Sequence, residues 1–339
     1  MKRKYDILFV TTMPSFYKVN LFNEIARKKK IFVLYTGSTT GKRSSDFIQE
    51  SLAYDHKFLG GGIKSVTQVI RILKDNSFRK IIISGWDNIV AFVIAFLSRN
   101  KKECVVESSV YESTTSGWKA FPKKMLLKRM SKVLTSGVAQ EELVRALGYK
   151  GNVVQFGGCG LLNYVEQPPF EPRTSVRNFL YVGQLIAVKN IGFIIDYFNK
   201  HSEYNLTIIG DGTLREELEN KAAENIFFMG AINNTDLFQY YRKVDVFVLP
   251  SKSETWGLVV EEALNNGTPV IVSNRVGCAS TLVIPNEVGC VFESNDPESF
   301  DGCIKNLTSL EYYNKLRYNA SKLNFAERAS HQVRCFCEE

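Results

Sequence analysis

Two glutamates eight residues apart, Glu254 and Glu262, bracket the chemically richest stretch of this 339-residue chain. Between them stand Thr255, Trp256, Gly257 and Leu258. Gly257 lets a backbone come close to a ligand where a helix begins, and the first N–H groups of a helix have no partner inside it. With the helix dipole, about half a positive charge, those N–H groups form an anion site. At ~100° per residue, Leu258, Val259, Val260, Ala263 and Leu264 share one broad apolar face. Glu262 falls at the edge of that face, and Glu261 falls with Asn265 on the far side, towards solvent. A carboxylate at an apolar edge needs a hydrogen-bond partner. Sugar or ribose hydroxyls would supply one; so would a neighbouring loop, in a purely structural role.

The elements that position these residues can be read from the pattern around them. The run Val244 to Leu249 is continuously apolar, as in a strand covered on both faces, and Pro250 ends it. A polar loop, a helix from Leu258, an Asn-Gly turn and the strand Pro269 to Ser273 follow. Residues 1–160 alternate short apolar strands (Tyr5–Val10, Ile31–Tyr35, Lys80–Ser84, Glu103–Glu107, Lys132–Leu134, Asn152–Gln155) with amphipathic helices. The stretch Thr11 to Asn20 reads as the exit loop of the first strand, with a helical stripe starting at Leu21. Polar residues 41–50 and the glycines 60–62 follow the second strand. Gly157-Gly158-Cys159-Gly160 and a proline-rich segment punctuate the chain, and the alternation then restarts at Phe179. Strands alternating with helices imply parallel sheets with helices on both faces, and ligands then bind beyond the carboxyl ends of the strands. The expected organisation is an α/β chain of two doubly wound, Rossmann-like domains facing across a cleft. Domain bounds fall at 1–160 and 179–324, with a linker over 161–178. A C-terminal helix spans 325–339, for which packing back towards the N-terminal domain is one arrangement.

The spacing of Glu254 and Glu262, then Ala263-Leu264 and Gly267-Thr268-Pro269-Val270-Ile271, resembles the signature of family-4 retaining glycosyltransferases of the GT-B fold. The resemblance runs from Leu180 to Phe292. Tyr181-Val182-Gly183-Gln184-Leu185 with Lys189 is similar to the family's donor-phosphate motif. Leu206 to Gly212, ending in Gly210-Asp211-Gly212, is similar to its next strand and turn. Phe228-Met229-Gly230, followed by Ala231, resembles the segment that meets the nucleotide base. The resemblance implies a nucleoside-diphosphate-sugar donor, bound by these residues together with Thr255, Trp256, Gly257, Leu258 and Glu262. It further implies that Lys189 stabilises the leaving diphosphate, that Glu254 holds donor-sugar hydroxyls, and that no cofactor or metal is needed. One departure stands out. Gln184 replaces the family's usual Arg, a bidentate diphosphate clamp, with a neutral side chain.

The N-terminal half resembles the family more loosely, as acceptor-binding domains do. No histidine stands at the end of a middle strand; Glu107 is the candidate polar group there, with capping of the loop as the structural alternative. Trp86-Asp87 follows another strand and offers either a sugar contact or packing. Residues 1–165 carry 27 Lys and Arg against 12 Asp and Glu, and the remainder 16 against 23, so a net +8 divides into +15 and −7. A basic half points to an anionic surface, here a cytoplasmic membrane face carrying a lipid-linked or glycan acceptor, rather than nucleic acid. Phe16 and Tyr17 then either dip into the interface or line the cleft. The seven cysteines show no metal-ligand spacing and fit reduced thiols in a cytoplasmic, peripherally membrane-associated protein. No apolar run is long enough to span a bilayer. The expected activity is transfer of a sugar to an acceptor hydroxyl with retention, in surface polysaccharide or glycolipid assembly. A nucleotide-sugar 2-epimerase of the same fold and a non-catalytic nucleotide-sugar-binding protein are the alternatives. A pyridoxal-phosphate phosphorylase would need a much longer chain.

Overall fold

The computed structural model describes residues 2–37, 52–60, 62–86, 88–158 and 165–338. The expectations for residues 41–50, Gly61, Asp87 and the Cys159-Gly160 boundary lie outside the described residues. The chain divides into two compact units, Met1–Leu162 with Arg328–Glu339, and Asn163–Glu327.

The first unit is built on seven strands, β1 (Arg3–Thr11), β2 (Ile31–Tyr35), β3 (Asp55–Phe58), β4 (Asn76–Ser84), β5 (Lys101–Val106), β6 (Lys132–Thr135) and β7 (Asn152–Gln155). Their order is β3-β2-β1-β4-β5-β6-β7, and every pairing is parallel. The chain winds outward from β1 to one side and then from β4 to the other, so the switch point lies between β1 and β4. The helices are α1 (Phe16–Ala26), α2 (Gly62–Asp75), α3 (Ile89–Leu97), α4 (Phe121–Leu127) and α5 (Val138–Ala146). Two apolar clusters cover the two faces of the sheet. Val69, Val90, Ile94, Leu126 and Leu143 pack with one, and Leu21, Phe22, Ile25, Val333 and Phe336 with the other.

One expectation needs correction here, and one strand was not foreseen. The first helix begins at Phe16, not near Leu21, so Phe16, Tyr17 and Lys18 form its first turn. That turn breaks the apolar stripe because Lys18 lines a polar pocket and bonds Glu107, and the Tyr17 hydroxyl also turns to Glu107. Strand β3 was not legible as a strand. Its sequence, Asp-His-Lys-Phe, is exposed for three of four residues, and only pairing with β2 makes it extended.

The second unit has six parallel strands, β8 (Asn178–Val182), β9 (Asn205–Ile209), β10 (Ile226–Gly230), β11 (Val246–Leu249), β12 (Val270–Ser273) and β13 (Gly289–Phe292). Their order is β10-β9-β8-β11-β12-β13, with the switch point between β8 and β11. Both β11 and β12 are buried throughout, which explains why they are apolar at every position before Ser273. The helices are α6 (Ile191–Phe198), α7 (Arg215–Lys221), α8 (Leu237–Lys243), α9 (Leu258–Asn265), α10 (Pro297–Thr308) and α11 (Leu310–Ser321). The described part of the stretch read as a linker is hydrogen-bonded into this unit. Arg173 exchanges two bonds with Asn314, and Arg317 donates from Nε to the Glu171 carbonyl at 3.0 Å. The last helix, α12 (Phe325–Cys337), joins the first unit from Arg328 onward. There Gln332 donates to the Gly158 carbonyl at 3.0 Å, and Phe336 lies 5.4 Å from the Phe156 ring. No helix among the described residues is long and apolar enough to cross a membrane.

Candidate functional site

The switch point of the second unit opens between the carboxyl ends of β8 and β11, and the loops leaving those strands are tied together there. After β8 the backbone makes one 3-10 turn, Ala187–Lys189, and Asn190 then turns left-handed at φ 58°. The Asn190 amide reaches the Pro250 carbonyl at 3.3 Å, and the Lys252 N–H donates to the Val188 carbonyl at 2.8 Å. The result brings Lys189 onto the loop after β11, where its ammonium bonds the Glu254 carboxylate. Both side chains are half-buried. Glu254 is itself fixed by its backbone, which accepts from Gly277 N–H at 2.9 Å and donates to the Arg275 carbonyl at 3.0 Å.

Just beyond, Gly257 precedes α9 with φ 101°, a left-handed conformation. A β-carbon there would lie 3.1 Å from Val276 and 3.3 Å from Val260, so glycine suits both the turn and the packing. The first amides of α9 therefore present an anion-binding end at the same strand terminus. Trp256 is buried, which leaves only its backbone to meet a ligand; Thr255 and Leu258 are half-buried. Glu262 accepts from the Tyr241 hydroxyl at 2.9 Å. Burial pushes its carboxyl up to about 7, while the Tyr241 hydroxyl pulls in the opposite direction.

The helical-wheel expectation for Glu261 is corrected. Its side chain is 2% exposed and Asn265 is 1% exposed, so this side of α9 is interior. Asn265 donates to the Val165 carbonyl at 3.1 Å, and Arg317 to the Gly267 carbonyl at 3.1 Å. Segment 165–168 and α11 thus cover the face that the wheel assigned to solvent. Leu258 and Val259, placed by the wheel in the core, are half-exposed.

Next to β8, the ends of β9 and β10 close the floor. The Gly183 N–H donates to the Ile209 carbonyl at 3.0 Å, and the Gly210 N–H to the Gly230 carbonyl at 2.8 Å. At Gly210, with φ 135°, a β-carbon would stand 1.9 Å from the Gly183 carbonyl oxygen, which no side chain tolerates. Asp211 caps the Gly212 N–H at 2.7 Å, and Leu185 N–H donates to the Asp211 carbonyl at 2.9 Å. Met229, Ala231 and Gln184 are exposed; the Gln184 carbonyl accepts from the buried Tyr181 hydroxyl. Burial raises the Tyr181 phenol well above its usual range, so it donates.

The first unit carries a second polar group at its own switch point. Glu107 follows β5 and pairs with Lys18 at 2.8 Å, and the Tyr17 hydroxyl donates to it at 3.5 Å. Lys18 Nζ lies 3.4 Å from both Thr11 Oγ1 and Ser84 Oγ, so it spans the ends of β1 and β4. Lys18, Ser84 and Glu107, with Thr12, Gly85, Trp86 and Ser108, line a pocket of about 120 Å³. Lys123 Nζ lies 5.3 Å from the Trp86 ring centroid. No group of three or more His, Cys, Asp or Glu side chains among the described residues is placed to hold a metal.

Residues 166–323 match the family model described as glycosyl transferases group 1. The match covers just under half of the chain and lies within the second unit. Among curated relatives, sulfoquinovosyl transferase SQD2 of Arabidopsis thaliana is 32% identical over 132 residues, 39% of this chain and 26% of that protein. The chain therefore spans about a quarter of that relative's length. Similarity of structure extends over both units. The lipopolysaccharide outer core galactosyltransferase WaaB in its apo form superposes with a TM-score of 0.77 at 15% identity, covering 98% of this chain and 99% of that one. Anabaena HepE in complex with UDP gives 0.74 at 14% identity, covering 98% and 99%. The fold is GT-B. Within the matched segment, sequence reading missed Tyr241, the partner of Glu262, and Arg215. The Arg215 guanidinium lies 3.5 Å from Asp211 and beside Gly230. In the first unit it missed Lys18. The one available signal was a lone cation breaking an apolar helical stripe, and a solvated lysine has the same signature.

Proposed function

We propose that this protein transfers a sugar from a nucleoside diphosphate to an acceptor hydroxyl, with retention at the anomeric carbon and without a metal. The observation that carries the reading is the Lys189–Glu254 pair at the β8/β11 switch point, beside the amide end of α9. As the glycosidic bond breaks, negative charge accumulates on the leaving diphosphate. An ammonium and oriented N–H groups stabilise that charge most where it is greatest, in the transition state. On diphosphate binding Lys189 turns from Glu254 to the phosphates, which frees the carboxylate for the donor's sugar hydroxyls. Glu262 then takes the ribose, with the Tyr241 hydroxyl holding it in place. Gly183, Gly210, Gly212, Gly230 and Ala231 shape the floor under the nucleotide, and Asp211 and Met229 stand at its rim. HepE was solved with UDP, which supports a nucleoside diphosphate as the ligand of this fold.

The acceptor belongs to the first unit, where Glu107 orients its hydroxyl with Lys18 and Tyr17 keeping the carboxylate in place. WaaB acts on lipopolysaccharide outer core, which favours a glycan or lipid-linked acceptor here. The basic charge of residues 1–165 suits docking on an anionic membrane surface from the cytoplasmic side, each exposed Lys or Arg contributing about 1 kcal/mol. The test is a screen of nucleoside diphosphates and their sugars by titration, followed by NMR of the product formed with a matched acceptor. Tight diphosphate binding and retained anomeric configuration support the proposal. An inverted product, or epimerised sugar with no acceptor consumed, contradicts it.

A further inference from the structure

At the opposite edge of the first unit's sheet from Lys18 and Glu107, the amino ends of the strands enclose an unexpected concentration of charge. Lys80 on β4, Glu103 on β5 and Lys132 on β6 point to one face, as the registers Ile82–Glu103 and Glu103–Lys132 require. Glu103 is fully buried and takes Lys80 at 3.1 Å, Lys132 at 3.3 Å and Lys101 at 3.9 Å. Lys80 and Lys132 also donate to the Glu338 carbonyl, at 2.6 and 3.3 Å, just past the end of α12. These bonds account for two of the lysines as a structural clamp on α12.

They do not account for the rest. An open pocket of about 390 Å³ adjoins the clamp, lined by Asp6, Ile7, Lys29, Arg79, Lys80, Lys101 and Cys337. Arg79 bridges to Asp6 at 3.3 Å with its guanidinium largely in solvent. Among the described residues and counting Lys132, five cations face three carboxylates, Asp6, Glu103 and that of Glu338, whose charge also acts on Cys337. Lys28, Lys29 and Lys80 all act on the Cys337 thiol with positive charge. Cations from four separate segments, the turn after α1 and strands β4, β5 and β6, thus converge on one concavity. Low-dielectric walls focus such a field, and a multiply charged anion with several acceptor oxygens fits it better than a single carboxylate.

We propose that this pocket binds a phosphate group, with Lys80 as its floor and Lys29, Arg79 and Lys101 closing on the oxygens. The phosphate comes either from a free anion or from a lipid headgroup. The site is separate from the Lys189 site and does not depend on the function proposed above. Cys337 is a built-in reporter, half-buried at the pocket wall, whereas Cys104, Cys278, Cys290, Cys303 and Cys335 are buried.

The experiment follows alkylation of Cys337 by iodoacetamide, read by peptide mass, at constant ionic strength. Its arms are no addition, inorganic pyrophosphate, phosphatidylcholine vesicles, and the same vesicles containing phosphatidic acid. The expected result is slowing of roughly threefold or more by pyrophosphate or by the phosphatidic acid vesicles, lost in Lys29→Gln/Lys101→Gln. Arg79→Gln, a single change at an exposed side chain, should lose part of the protection. Protection by pyrophosphate identifies a free anion, and protection by phosphatidic acid vesicles alone identifies a headgroup. Pyrophosphate bound at the Lys189 site would leave Cys337 unprotected. No protection in any arm, or protection that the variants leave intact, overturns the proposal.

Discussion

Each unit carries one lysine–glutamate pair at the switch point of its sheet, and the two pairs are held in opposite ways. Lys189 and Glu254 are held by backbone: a 3-10 turn, a left-handed Asn190, and hydrogen bonds joining the loops after β8 and β11. Lys18 and Glu107 are held by side chains, the hydroxyls of Thr11, Tyr17 and Ser84. A backbone-built site tolerates little variation in the residues that shape it, and its loops are in place before the ligand arrives. A side-chain-built site can be retuned by single substitutions. On the function proposed above, that division suits a donor-binding unit and an acceptor-binding unit.

The same contrast explains what the sequence discloses. Gly183, Gly210, Gly212 and Gly257 are needed where backbones nearly touch or turn left-handed, so their spacing was visible before any coordinates. The family resemblance is what pointed to Lys189 and to the role of Glu254, both of which lie within a few residues of those turns. Lys18, Ser84 and Glu107 come from three distant segments, and nothing local in any of them announces the others. Glu261 and Asn265 were misplaced because a wheel knows only one helix. Burial of their side depends on α11 and on residues 165–168, which pack there from far along the chain. Strand β3 was missed because an edge strand made of Asp-His-Lys-Phe has no periodicity, and its conformation comes from β2.

The comparison can be broken most severely at Gly210. Gly210→Ala forces a β-carbon against the Gly183 carbonyl and should destabilise the protein by about 3 kcal/mol or more, lowering its melting temperature by roughly 10 °C. Thermal unfolding followed by circular dichroism measures this. A change of a degree or two would show that the floor is not rigid.

A smaller effect is expected in the first unit. Glu107→Gln keeps shape and removes charge, and should lower turnover by roughly tenfold while nucleoside diphosphate affinity stays the same. Paired kinetics and titration distinguish this from a donor-site role, in which affinity would fall as well.

The mildest effect concerns Glu262. Its folded carboxyl is held near 7, above the usual carboxylate range, so between roughly pH 4.5 and 7 the folded state binds more protons than the unfolded state. This contribution is fully present at the acid end of the window and is lost as pH rises towards 7. Glu262→Gln should therefore gain stability relative to the parent chain across that interval. Urea unfolding at pH 5 and pH 8 measures the difference, and a gap that narrows with rising pH would show that the carboxyl is not desolvated.

The central claim is that the Lys189 ammonium meets charge developing on a leaving diphosphate. Single-turnover kinetics of Lys189→Ala, with the donor identified by the binding screen, test it most directly. The account predicts a loss of roughly a hundredfold or more in the chemical step, with the melting temperature close to that of the parent chain. An unchanged chemical step with unchanged donor affinity in a folded variant would contradict it.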